Sequence, residues 1–238
     1  MVICSSQTLV LRKASRLEVA NNSCEAITKI PTAVTRMGNS YKSVQAFFDI
    51  GDVGVDSLDV PYNMAGMFDR TYDLGGRIHT NSWGSSSGYY SIFSSESDAY
   101  TYDNQDFLVL FAAGNDGDSS ETIGEPGTAK NVVTVGATTN HVSSNEEIDQ
   151  ASFSSRGPLF MNDAIKPDVS APGQIYSARS RANPTANHCR FSFESGTSMA
   201  TPITAGNAAL VREYFINGYY PFGASNTTAG FVPMAALI

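Results

Sequence analysis

The sequence predicts an α/β fold of three layers, with a mostly parallel central sheet and helices on both of its faces. Apolar, β-branched or aromatic runs alternate along the chain with segments of helical spacing, the pattern of strand–crossover–strand units. One run, Phe107-Leu108-Val109-Leu110-Phe111-Ala112-Ala113, is apolar at every position, as a central parallel strand covered on both sides must be. Size agrees: 238 residues, 42% hydrophobic and 16% charged, can bury a sizeable core as one domain. That balance excludes a disordered or fibrous chain.

The elements follow in order. Residues 44–50 (Val-Gln-Ala-Phe-Phe-Asp-Ile) read as a buried first strand. Met64, Met67, Phe68 and Leu74 lie at near-helical spacing, and Gly75-Gly76 supplies a stop, since glycine readily takes the left-handed conformation that closes a helix. Residues 77–83 form a second strand, and the polar stretch 90–104 suits a surface helix. The apolar run 107–113 is the third strand and 131–137 the fourth. Ala205, Gly206, Ala208, Ala209, Leu210 and Val211 mark a long small-residue apolar segment that reads as a buried helix. Residues 231–238 read as a helix start with Pro233 in its first turn. Stretches 116–128 and 141–150, rich in Asp, Ser, Gly, Asn and Glu, are loops. Sites on such sheets form beyond the carboxyl ends of the strands. Three segments have the small or polar residues a site needs there: Ser82-Trp83-Gly84, Ala113-Gly114-Asn115 and Gly196-Thr197-Ser198.

Composition narrows the function classes. Lys+Arg 15 against Asp+Glu 23 gives a net charge of −8, which aids solubility and argues against a nucleic-acid partner. No apolar run approaches the roughly 18 residues of a membrane helix, so no membrane segment is expected. Met1-Val2-Ile3-Cys4-Ser5 lacks the basic start and apolar core of a signal peptide. Cys4, Cys24 and Cys189 show no metal-ligand spacing and read as free thiols; neither cofactor nor metal is expected. Asn21-Asn22-Ser23 and Asn226-Thr227-Thr228 match the N-glycosylation acceptor pattern.

The chemistry concentrates at Gly196-Thr197-Ser198-Met199-Ala200-Thr201-Pro202. A serine at the mouth of a buried helix has its hydroxyl at the positive end of the helix dipole, where developing negative charge is stabilised. That position suits a nucleophile; without chemistry, the same residues would be a helix cap. Asn115 is the second element. Acyl transfer builds a full negative charge on one oxygen, and an amide held at the end of a buried strand can donate to it. On its own, Gly114-Asn115 is also a turn.

The heptapeptide 196–202 resembles the signature of subtilisin-like serine proteases, the subtilases. Further blocks resemble that family in its own order: Asn81-Ser82-Trp83-Gly84, Phe111-Ala112-Ala113-Gly114-Asn115, Phe153-Ser154-Ser155-Arg156-Gly157-Pro158 and Lys166-Pro167-Asp168-Val169-Ser170-Ala171-Pro172-Gly173. The resemblance runs from about Gly38 to the end. Residues 38–238 therefore read as about the C-terminal two-thirds of a subtilase catalytic domain, and 1–37 as a divergent segment. The resemblance implies hydrolysis of a peptide or protein substrate by nucleophile Ser198. Asn115 and the Ser198 backbone N–H would be the oxyanion donors. Ser82, Trp83 and Gly84 would form the edge to which a substrate peptide adds as an extra strand, with Ala112, Ala113 and Gly114 as the opposite wall of its side-chain pocket. Glu125-Pro126-Gly127 resembles the segment where several subtilases hold a cis proline, so a cis bond is expected at Pro126. Some relatives bind calcium, but no compact Asp/Asn ligand cluster supports a site here. Some large protist members are joined to membrane transporters, and the resemblance implies a secreted or membrane-associated location.

One part of the family pattern is missing. Its triad runs Asp, His, Ser, with the Asp in an Asp-Thr/Ser-Gly turn and the His in a His-Gly-Thr-His block, both ahead of residues 46–50. Neither block is present, and positions 1–37 hold no histidine and no Asp. His79 lies in a strand at a packing position; His141 and His188 lie in loops. Three readings stand. The chain is a subtilase lacking its N-terminal third, inactive as written; or a non-catalytic peptide-binding relative; or a hydrolase with a Gly-x-Ser-x-Gly elbow. Chain order excludes the last, because no histidine follows Ser198. Intact Ser198 and Asn115 favour the first. The first 36 residues are expected to pack poorly or lie apart from the sheet.

Overall fold

A computed structural model describes residues 7–10, 39–40, 43–48, 50, 58–139, 149–160, 163–178 and 191–238. Cys4, Cys24, Cys189, His141, His188, the Asn21 triplet and most of the loop 141–150 lie outside the described residues.

The apolar run at 107–113 sets the architecture. Its core is β4 (Leu108–Ala112), buried at all five positions. In chain order the elements are β1 (Gln7–Val10), β2 (Val44–Phe47), α1 (Met64–Asp73), β3 (Ile78–Asn81), α2 (Ile92–Asp103), β4, β5 (Val133–Thr138), β6 (Val169–Pro172), β7 (Gln174–Ala178), β8 (Phe191–Ser195) and α3 (Thr197–Ile216). A 3-10 turn at Ala235–Leu237 follows where the sequence suggests a helix start. The main sheet has the order β2-β1-β3-β4-β5-β6, and β7 pairs with β8 as a separate antiparallel hairpin. From β3 to β6 all pairings are parallel. Helix α3 covers one face through a cluster including Ile78, Leu110, Val135, Ala205 and Ala209. Helices α1 and α2 belong to the other face, where Met64, Met67, Phe68, Tyr100, Phe107 and Val109 form a second cluster. The fold is the expected three-layer α/β arrangement. No helix among the described residues is long and apolar enough to cross a membrane.

Local chemistry explains most boundaries. The Asn63 side chain caps α1 by accepting from the Gly66 N–H at 2.8 Å. At its other end Leu74 is the cap residue, half exposed rather than part of the buried stripe, and Gly75 turns the chain at φ +86°. The Glu125-Pro126 peptide is cis, as expected.

Three expectations need correction. Residues 7–10 do not lie apart from the sheet: they form β1, antiparallel to β2 on one side and to β3 on the other. Strand β3 would otherwise present a row of unpaired backbone groups, and Gln7-Thr8-Leu9-Val10 supplies a short partner for it. The strand at 44–47 is not buried. As the outermost strand it alternates half-buried with exposed positions, and Phe47 is 58% exposed. The helix at 90–104 is not a surface helix on every side. It buries Ser94, Ser97, Asp98, Tyr100 and Thr101, where small hydroxyls are satisfied by the helix's own backbone: Ser97 Oγ donates to the Phe93 carbonyl, and Thr101 Oγ1 to that of Ser97. Asp98 accepts from Tyr90 and from the backbone N–H groups of Lys130 and Asn131.

Candidate active site

Parallel β3 and β4 end at the same edge of the sheet, so Ser82-Trp83-Gly84 and Ala113-Gly114-Asn115 leave it side by side. Helix α3 begins there too, at Thr197, which puts Ser198 in its first turn. All eight residues singled out from the sequence (Ser82, Trp83, Gly84, Ala112, Ala113, Gly114, Asn115 and Ser198) line one cleft of about 270 Å³. Ser85, Ser86, Asp116, Gly124 and Thr197 line it as well and were not anticipated.

The proline of the heptapeptide has a structural consequence. Pro202 sits inside α3 and has no N–H, so it cannot donate to the carbonyl four residues earlier, that of Ser198. A carbonyl left out of the helix ladder needs another partner, and Ser82 supplies one, its Oγ donating to the Ser198 oxygen at 2.8 Å. Ser198 Oγ in turn donates to the Ser82 carbonyl at 3.3 Å. The first turn of α3 is thereby tied to the end of β3.

Asn115 is held just as specifically. Its Oδ1 accepts from the Thr197 N–H at 2.9 Å and from Thr197 Oγ1 at 3.1 Å. A backbone N–H can only donate, so this pairing fixes which amide atom is the oxygen. The amide oxygen is thus engaged, while the Nδ2 donor makes no hydrogen bond among the described residues. Thr197, adjacent to Ser198 in sequence, is the residue that motif reading passes over.

Gly114 makes the approach possible. Its φ of +110° is one that L side chains rarely adopt, and a Cβ there would lie 2.8 Å from Ser155 Oγ. Its carbonyl accepts from the Ser155 N–H and from Thr197 Oγ1. Gly114→Ala is expected to cost about 1–3 kcal/mol through backbone strain, read as a thermal midpoint several degrees lower. An unchanged midpoint would show that the turn tolerates a side chain.

Trp83 lines the cleft but is itself largely buried, edge-on to Phe111 at 5.4 Å, with Nε1 donating to Asn81 Oδ1 at 3.1 Å. Asn81 Nδ2 donates to the Leu110 carbonyl and meets His79 Nδ1 at 2.9 Å. Since the amide nitrogen donates, His79 Nδ1 accepts and its proton sits on Nε2, which is buried with no hydrogen-bond partner among the described residues. His79 faces Phe68 and Phe107, on the α1–α2 side of the sheet, opposite α3. It is a packing residue, as its strand position suggested. Burial lowers its pKa from 6.5 to about 3.

That shift makes a stability prediction. Below pH 6.5 the unfolded chain binds a proton that the native state refuses until about pH 3. The stability due to neutral His79 is present above 6.5 and is lost as pH falls towards 3, by at most about 1.4 kcal/mol per pH unit. Urea unfolding of wild type and His79→Gln across this range should show the shallower pH dependence in the variant. Equal slopes would mean that His79 titrates normally in the folded chain.

The family model described as Subtilase family matches residues 52–229. The chain is 28% identical over 279 aligned positions to the serine protease/ABC transporter B family protein tagD of Dictyostelium discoideum, covering 81% of this chain and 15% of that protein. It is 43% identical over 113 positions to serine protease AprX of Bacillus subtilis (strain 168), covering 44% of this chain and 25% of that one. Among solved structures, Sphericase superposes with a TM-score of 0.51 at 30% identity, covering 74% of this chain and 55% of its own. The self-cleaved protease domain of PatA gives 0.51 at 25%, covering 67% and 55%. The chain therefore spans a small part of its curated relatives and about half of the solved structures it matches.

Proposed function

This chain belongs to the subtilase family, and from that membership we propose that it carries a serine endopeptidase site with Ser198 as nucleophile and Asn115 as side-chain oxyanion donor. The observation that supports this most is the shared cleft, where a helix-start serine lies beside an amide whose oxygen is already engaged. A substrate peptide adds as a strand along Ser82-Trp83-Gly84, and the side chain before the cut bond enters between that edge and Ala112-Ala113-Gly114. Attack by Ser198 Oγ on the scissile carbonyl places the new oxyanion between the Ser198 N–H and Asn115 Nδ2, both oriented before the substrate arrives.

We further propose that the chain as written performs this reaction negligibly. In the resting site Ser198 Oγ donates to a main-chain carbonyl, which cannot take up the proton that attack releases. His79, the histidine among the described residues, lies on the far side of the sheet. The test is to supply the family's Asp and His blocks ahead of residue 38 and measure Ser198-dependent hydrolysis of a peptide library. Turnover abolished by Ser198→Ala supports the endopeptidase reading. A restored chain that folds and binds peptides without cleaving them would support a peptide-binding relative instead.

A further inference from the structure

We infer that Asn226 is a site of N-linked glycosylation when this chain passes through a secretory compartment, with a lipid-pyrophosphate-linked oligosaccharide as the sugar donor. The inference stands apart from the proposed active site. Asn226-Thr227-Thr228 has the acceptor pattern, a hydroxyl two residues beyond an asparagine. A glycan is bulky and hydrated, so the fold can carry one only where the asparagine side chain reaches solvent. Residues 221–228 are exposed without interruption.

The geometry holds the triplet in an acceptor-ready form. Asn226 Oδ1 accepts from Thr228 Oγ1 at 2.7 Å and from the Thr228 N–H at 3.1 Å. Those donors identify the oxygen, and Nδ2 of this exposed residue makes no hydrogen bond among the described residues. Hydroxyl donation to the amide oxygen polarises the amide and acidifies its N–H, the atom that must react. The backbone beneath is anchored: the Asn226 N–H donates to the Gly218 carbonyl, and its own carbonyl accepts from Ala229. In the transfer, Nδ2 loses a proton and bonds to the anomeric carbon of the sugar. The bond from that carbon to the pyrophosphate oxygen breaks with its electron pair going to that oxygen, and the lipid pyrophosphate leaves and takes up the proton. The loop lies past the C-terminal end of α3, whereas Ser198 is at its start. At about 1.5 Å per residue, Ser198 and Ile216 are separated by roughly 27 Å, so a glycan leaves the cleft open.

The experiment expresses the full chain behind a cleavable secretory leader in eukaryotic cells, beside Asn226→Gln, Thr228→Ala, Thr228→Ser and Asn21→Gln. Wild type is expected to carry a glycan that peptide-N-glycosidase removes, converting residue 226 to Asp in the mass spectrum. Asn226→Gln and Thr228→Ala lose that modification, Thr228→Ser keeps it, and Asn21→Gln leaves it unchanged. Thr228→Ala retains the acceptor amide, so the comparison survives if Asn226→Gln misfolds. The glycosylated and deglycosylated chains should melt together, because the site is exposed. A secreted wild-type chain with unmodified Asn226, or a glycan that persists in Asn226→Gln and Thr228→Ala, overturns the inference.

Discussion

The unmodified 238-residue chain is expected to show no peptide hydrolysis in an ordinary protease assay. A serine hydroxyl near pH 7 is a weak nucleophile unless a base accepts its proton. In a subtilisin, a relative of this chain, loss of the histidine costs about 2 × 10⁶ in kcat, leaving about 10³–10⁴ over water from the oxyanion hole and binding. That remainder is too slow for routine detection. Ser198→Ala should therefore barely change the rate of the chain as written, yet abolish the rate of a chain given the Asp and His blocks. Should the unmodified chain cleave peptides robustly and lose that activity in Ser198→Ala, a base exists in it. Substituting His141 and His188 separately would then locate it.

In the restored chain, Asn115→Ala is expected to lower kcat by about 10²–10³ with little change in KM, the loss measured for an oxyanion-hole amide of a subtilisin. The selectivity for kcat is the informative part, because an oxyanion donor acts on the transition state and not on the bound peptide. Thr197→Val removes one of the two donors that orient the Asn115 amide but leaves the Thr197 N–H in place. Its effect should be smaller, about tenfold or less in kcat, as for one net hydrogen bond. Equal losses in kcat and in peptide affinity for Asn115→Ala would instead assign Asn115 to ground-state binding.

How much of this was legible depended on the range of the physics. Helix α1 could be read because Met64, Met67 and Phe68 repeat at helical spacing and Gly75 ends the repeat; β4 could be read because every residue is apolar. The cleft residues could be read because their motifs are short and local. The fate of Gln7–Val10 could not, since its strand exists only where β2 and β3 leave backbone groups to pair. Nor could the inward face of α2, whose serines and threonines look solvated until their bonds to backbone carbonyls are seen. The tie between Ser82 and the carbonyl freed by Pro202 joins residues 116 positions apart. The proline states that a partner is needed without saying which. Strands β7 and β8 were likewise missed, as among the described residues they pair with each other outside the main sheet.

Fluorophosphonate labelling, mapped by mass spectrometry, tests the central claim most directly, because the reagent reacts only with an activated serine. The account predicts no label on Ser198 in the chain as written, and label on Ser198 alone once the Asp and His blocks are supplied. Label on Ser198 in the unmodified chain would contradict the proposal that no base serves it. A restored, folded and peptide-binding chain that labels elsewhere, or nowhere, would contradict Ser198 as the nucleophile.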